Sequence, residues 1–198
     1  MDYKRFLLIA ITTLITTSLQ SVVVLPGTLP TQQVLAQTTE GREAEADRLF
    51  NQGIQQFQTS QLQAALQSWK QALKIYREIK DRAREGKALG NLGLAYHSLG
   101  DYNKAIELFQ QHLEIAKQIG DKAGEGKALG NLGLAYHSLG DYNKAIELFQ
   151  QHLEIAKQIG DKAGVGRALG NLGNAYGSLG DYNKAIELFQ QHLEIAKQ

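Results

Sequence analysis

Five histidines and a row of asparagines are the side chains here whose chemistry asks for an explanation. His97, His112, His137, His152 and His192 recur in step along the chain, as do Asn91, Asn131 and Asn171. Zinc needs three or four converging ligands, with nitrogens near 2 Å from the metal. His97 and His137 share a face but fall on neighbouring repeats whose helices sit about 8–10 Å apart or more. His112 and Glu114 project from different sides of one helix. The spacing therefore predicts no metal site, and His112 reads as a packed, hydrogen-bonded residue at the seam between repeats. The asparagines suggest something else. A carboxamide both donates and accepts, so a ladder of them can hold a peptide backbone without reading its side chains.

Catalysis finds no footing in the same inventory. The chain has no G-x-S-x-G, no phosphate-cradling glycine loop after a strand and no H-E-x-x-H. Glu107 and Glu114 recur on every copy of one helix, as solvated face residues do. The absence of cysteine excludes disulfides, thiolate zinc sites and thiol nucleophiles. Neither an enzyme activity nor a cofactor is expected. Without residues 1–36 the chain carries 19 basic and 19 acidic side chains, so nothing electrostatic points to nucleic acid or anionic lipid.

What positions these residues is a repeat. Gly86–Glu125 recurs at Gly126–Val165 with the single change of Glu125 to Val165, and begins again at Gly166. A fainter relative covers residues 46–85. A fixed period of 40 residues is the signature of a stacked array in which each unit touches its neighbours. Leu89, Leu92, Tyr96 and Leu99 form one apolar stripe at helical spacing, on a first helix A. A second helix, B, carries two stripes: Ile106, Phe109, Leu113 and Ala116, then Ala105, Leu108, His112, Ile115 and Ile119. So broad a face suits a helix sandwiched between its own partner and the next repeat. Gly100 can take the left-handed conformation that ends helix A, and Asp101 can cap helix B; Gly120 and Asp121 repeat the device. Gly93 lies on the buried side, where a missing side chain admits helix B. Gly90, Gly130 and Gly170 read as keeping a groove open, and Gly86 has no clear reason. The fold class is all-α.

The ends carry other information. Lys4 and Arg5 precede an apolar run, and Val34-Leu35-Ala36 fits a cleavage site, so residues 1–36 read as an export signal. An uncleaved membrane anchor is the alternative, because Phe6–Leu25 is 20 residues long though diluted by threonine. Either way the repeats are delivered across the membrane, to the periplasm, cell surface or medium. Gln37–Glu45 reads as a linker and residues 46–198 as the array, in units of about 46–85, 86–125, 126–165 and 166–198. At the far end, Ile186, Phe189, Leu193 and Ile195 are expected to leave an apolar surface uncovered, which offers a site of self-association.

The unit resembles the tetratricopeptide repeat. Leu92, Gly93, Tyr96, Ala105 and Phe109 fall in that pattern around the turn Gly100-Asp101-Tyr102, and the first unit keeps Gly53, Ala65, Trp69 and Ala72. The long period and the Asn-Leu-Gly, His-Leu-x-Ile-Ala and Ile-Gly-Asp-Lys-Ala phrases resemble the Partner-of-Inscuteable and kinesin-light-chain branch. The resemblance implies a right-handed α-solenoid of four helix-turn-helix repeats whose helices A line a concave groove for peptides or extended protein segments. Groove positions implied in this way are Lys87, Asn91, Leu94, His97 and Ser98; Lys127, Asn131, Leu134, His137 and Ser138; and Arg167, Asn171, Asn174, Gly177 and Ser178. The third and fourth units differ at Lys127/Arg167, Leu134/Asn174 and His137/Gly177, all of them groove positions. A non-enzymatic, exported scaffold for protein–protein interaction is the expected function. The alternative is a self-assembling module, or one part of a larger protein with a downstream effector or peptidase-like domain.

Overall fold

The computed structural model describes residues 31–196, with side chains from residue 38 to 195. Eight helices follow one another: α1 Thr31–Gln58, α2 Leu62–Glu78, α3 Arg82–Ser98, α4 Tyr102–Gln118, α5 Lys122–Ser138, α6 Tyr142–Gln158, α7 Lys162–Leu179 and α8 Tyr182–Ala196. They pack as consecutive antiparallel pairs, α1 on α2, α3 on α4, α5 on α6 and α7 on α8, each pair stacked on the next. Among the described residues there is no strand, and no helix is long and apolar enough to cross a membrane. The export signal lies almost wholly outside the described residues. Gln37–Glu45 is not a free linker: it is helical and continuous with the first repeat as part of α1.

The turns show why the chain folds back where it does. Gly100, Gly120, Gly140, Gly160 and Gly180 all have φ between 71° and 87°, the left-handed region that costs glycine nothing. The aspartate that follows each one starts the next helix. Asp101 accepts the Lys104 amide at 3.1 Å and Asp121 the Gly124 amide at 2.8 Å, satisfying an amide that has no partner within the helix. Helices A consequently begin at Arg82, Lys122 and Lys162. That is a full turn earlier than the glycines at which the units repeat most clearly.

Packing follows the two stripes of helix B. Ile106 and Phe109 of α4 join Leu129 and Leu132 of α5 in one core cluster, and Ile146 and Phe149 of α6 join Leu169 and Leu172 of α7 in the next. A Cβ on Gly93 would stand 2.4 Å from the Phe109 ring, and one on Gly53 2.4 Å from the Trp69 ring. No other residue fits. Leu99 and Ile119, assigned to apolar stripes, instead sit at helix ends, 41% and 42% exposed. The far end behaves as expected for Ile186, Phe189 and Leu193, which are 55%, 38% and 60% exposed where Ile106 and Phe109 are 9% and 1%. Ile195 departs from expectation by packing against the third cluster.

Candidate functional site

Helices α3, α5 and α7 present their first and middle turns to a common concavity of about 610 Å³. Stepping along each helix by one turn brings Lys87, Asn91 and Leu94 of α3, then Lys127, Asn131 and Leu134 of α5, then Arg167 and Asn171 of α7, to its wall. The asparagines are half-buried, and Leu134 is 39% exposed. Lys87 and Lys127 have no ion-pair partner among the described residues, whereas Arg167 reaches Asp161 at 3.2 Å. The wall is thus basic at one edge, carboxamide in the middle and aliphatic at the other.

The remaining residues assigned to the groove stand outside this concavity. His97 Nε2 lies 3.1 Å from Ser138 Oγ, and His137 Nε2 lies 3.1 Å from Ser178 Oγ. The Ser138 hydroxyl donates to the Leu134 carbonyl at 3.0 Å, so it accepts from His97, which fixes the proton on Nε2. Each ring also leans on the first tyrosine of its own helix B, Tyr102 or Tyr142, at 5.1 Å between centroids. His97 and His137 therefore join one repeat to the next; they are not free to read a ligand. Gly177 offers no such ring. Ser98 and Asn174 are exposed near the helix ends.

The sequence reasoning missed the floor of the concavity. Gly90 and Gly130 belong to it, but they do not keep the groove open. A Cβ on Gly90 would sit 2.9 Å from His112 Nδ1, and one on Gly130 3.0 Å from His152 Nδ1. Gly86 is explained in the same way, its Cβ position lying 3.3 Å from both His112 Cδ2 and Ile115 Cγ2. His112 is therefore not a hydrogen-bonded seam residue. It lies against helix A of its own repeat with Nδ1 buried and unpartnered, as does His152. Burial pushes both imidazoles below their ordinary basicity. Lys127 adds to the effect at His112 and Arg167 at His152, while Asp121 and Asp161 oppose it. The signal that could have found this pairing was the joint occurrence of glycine at 90 and histidine at 112, which exchanges bulk between two helices.

The stacked pairs, the glycine-seated aromatic of each helix B and the capped turns are matched by the family model for the tetratricopeptide repeat over residues 46–118 and 124–198. The chain belongs to the tetratricopeptide repeat family. Among solved structures, aspartyl phosphate phosphatase F from Bacillus subtilis is similar with a TM-score of 0.75 at 21% identity, over 79% of this chain and 41% of that one. BtubC (BKLC) from P. vanneervenii gives 0.72 at 21% identity, over 77% of this chain and 63% of that one. The tetratricopeptide domain of Arabidopsis FLU gives 0.56 at 26% identity, over 59% of this chain and 98% of that one. The chain thus spans under two thirds of the length of the first two, and at these identities the likeness is one of fold. No curated protein sequence matches the chain. A tetratricopeptide repeat array of this kind is an interaction scaffold for other proteins, and that much the family establishes here.

Proposed function

We propose that the chain is an exported, non-enzymatic scaffold whose concavity holds an extended, acidic segment of another protein. The observation that carries this reading is the single wall formed by Asn91, Asn131 and Asn171 together with Lys87, Lys127 and Arg167. Three carboxamides at one repeat spacing can hold a main chain, and three cations along one edge favour carboxylates on it. The near-identity of the second and third units favours a segment whose own chemistry repeats. Export is supported by Lys4, Arg5 and the apolar run behind them. The test is affinity capture from an envelope extract with the chain and its Asn91→Ala/Asn131→Ala/Asn171→Ala variant side by side. Helicity by circular dichroism should be unchanged and capture by the variant lost; capture at wild-type level by a folded variant would overturn the groove assignment.

A second reading rests on α8. Its Ile186, Phe189 and Leu193 repeat the side chains that α4 and α6 bury under the following helix, yet they are exposed. The outward side of α1, by contrast, carries exposed Arg48, Gln52 and Gln55, so the apolar end has no apolar counterpart there. Two copies meeting end to end through α8 is the arrangement this favours. Light scattering at tens of micromolar decides it: Ile186→Glu/Leu193→Glu should convert a dimer to a monomer, and a wild-type chain already monomeric would end the idea.

A further inference from the structure

We propose that His112 and His152 are ligand-contacting residues, two equivalent polar seats in the floor of the groove, each taking one carboxamide side chain of the bound segment. The proposal rests on the groove reading given above. Among the described residues, the Nδ1 atoms of these two rings are the buried side-chain polar atoms without a partner. Native proteins seldom leave such a group unpaired, and one that stays so calls for a reason. The rings are only 9% and 7% exposed, and both line the same concavity as the asparagine row.

Their placement points to a ligand. Each Nδ1 faces a glycine of helix A, 2.9 Å from the Cβ position of Gly90 and 3.0 Å from that of Gly130, and both glycines border the concavity. No side chain therefore stands between ring and groove. The nearby carboxylates are engaged elsewhere, Asp121 with the Gly124 amide at 2.8 Å, and Asp161 with the Gly164 amide at 2.8 Å and Arg167 at 3.2 Å. Lys127 and Arg167, on the other side, disfavour a charged ring. A neutral imidazole in such a place works by hydrogen bonding. A carboxamide suits it because it donates and accepts, and so serves either tautomer. A charged side chain would lose its hydration there without compensation. The seats are confined to the later repeats, since the first has Ala72 at the position of His112.

The experiment uses the full chain and a phage-displayed library of random dodecapeptides. Peptides are kept if they bind wild type and fail on the folded Asn91→Ala/Asn131→Ala/Asn171→Ala variant. They are then measured against two double variants whose helicity has been confirmed. His112→Leu/His152→Leu keeps bulk and removes the nitrogen; His112→Asn/His152→Asn keeps a polar group near the place of Nδ1. Selected peptides should share asparagine or glutamine, bind the leucine variant about 10-fold more weakly in line with one buried hydrogen bond lost, and regain most of that on the asparagine variant. Replacing the peptide's carboxamide residue by leucine should cost the same on wild type and nothing on the leucine variant. The ring-nitrogen resonances of His112 and His152 should also move on binding. Peptides that bind wild type and leucine variant equally, with those resonances unmoved, would overturn the seats and leave the groove standing. If no peptide distinguishes wild type from the triple asparagine variant, the groove reading fails and the seats fail with it.

Discussion

In the first repeat Phe50 of α1 stands where α3 and α5 carry Gly90 and Gly130, and Ala72 of α2 stands where α4 and α6 carry His112 and His152. The same space between helices A and B is filled from opposite sides. In the first repeat the bulk comes from helix A, with Phe50 edge-on to Tyr76 at 6.4 Å. In the later repeats it comes from helix B, and the bulk is a polar ring. The bracing differs too. Arg84 ties α3 to α1 through Glu43 at 2.8 Å and Asp47 at 3.0 Å, and the Tyr76 hydroxyl donates to Asp47 at 2.7 Å. Gly124 and Ala116 occupy the matching positions one repeat on, so no such clamp exists there. What is conserved between the two designs is the glycine-seated aromatic, Trp69 on Gly53 and Phe109 on Gly93. A repeat of this family needs that one close approach; the rest of the A–B interface is exchangeable.

The exchange can be broken directly, and this should give the largest effect. Gly90→Phe alone drives a ring into His112, and overpacking of that kind costs about 2–3 kcal/mol. Adding His112→Ala recreates the first repeat's arrangement and should recover at least half of the loss, seen as non-additive urea midpoints. If the double variant is no more stable than Gly90→Phe alone, the two positions do not share a space and the comparison is wrong.

Protonation probes the same pair without changing volume. Both rings are held below their ordinary pKa of 6.5, chiefly by burial. A base whose folded pKa is the lower one binds fewer protons folded than unfolded, so acid favours unfolding. This contribution to stability is complete above pH 6.5, is lost as pH falls through it, and levels off below the depressed folded values. The slope is at most about 1.4 kcal/mol per pH unit per histidine. Urea midpoints at pH 7.5 and 5.5 should differ in the wild type and draw together in His112→Leu/His152→Leu. Asp81, whose carboxyl is held below its ordinary 3.8 by its bonds to Arg84, acts in a separate, more acid window. An unchanged pH slope in the leucine variant would refute the assignment to these rings.

The polar clamp of the first repeat should matter less. Arg84 is more than one-third exposed, so water screens its pairs with Glu43, Asp47 and Asp81. Arg84→Ala should cost about 1 kcal/mol and should do so less in high salt. Hydrogen exchange should place the loss in α1. A loss spread evenly over α3 to α8 would argue against a clamp local to the first pair.

How much of this was legible beforehand follows from what periodicity can report. The helices, their turns and the Gly93–Phe109 approach are local or repeated at a fixed offset, so the sequence pattern carried them. The asparagine row and the Lys87, Lys127, Arg167 edge followed from the period together with the family resemblance. The role of Gly90 did not, because its cause sits 22 residues away on another helix and only packing joins them. His97 was misread for the same reason: its hydroxyl partner, Ser138, lies 41 residues on. The helical state of Gln37–Glu45 escaped because polar residues without an apolar stripe give no periodic signal.

The smallest effect concerns the turns, where the two designs differ in a single backbone angle. The later repeats turn on Gly100, Gly140 and Gly180, but the first turns on Ser60 at φ 61°, and Lys80 reaches φ 60° where the others have Gly120 and Gly160. A side chain in the left-handed region costs about 1–2 kcal/mol. Glycine removes that strain yet gives the unfolded chain more freedom, which takes back roughly 0.5–1 kcal/mol. Ser60→Gly must also give up whatever the serine hydroxyl contributes to the turn, while Lys80→Gly loses only an exposed stem. Both should therefore stabilise by less than about 1 kcal/mol, with Lys80→Gly gaining the more. The mirror change, Gly100→Ser, should cost a similar amount, since a Cβ there meets nothing within 4 Å and only the angle opposes it. Chemical denaturation of the three single variants reads this out, and a Gly100→Ser chain as stable as wild type would show that the glycine turns are not set by backbone strain.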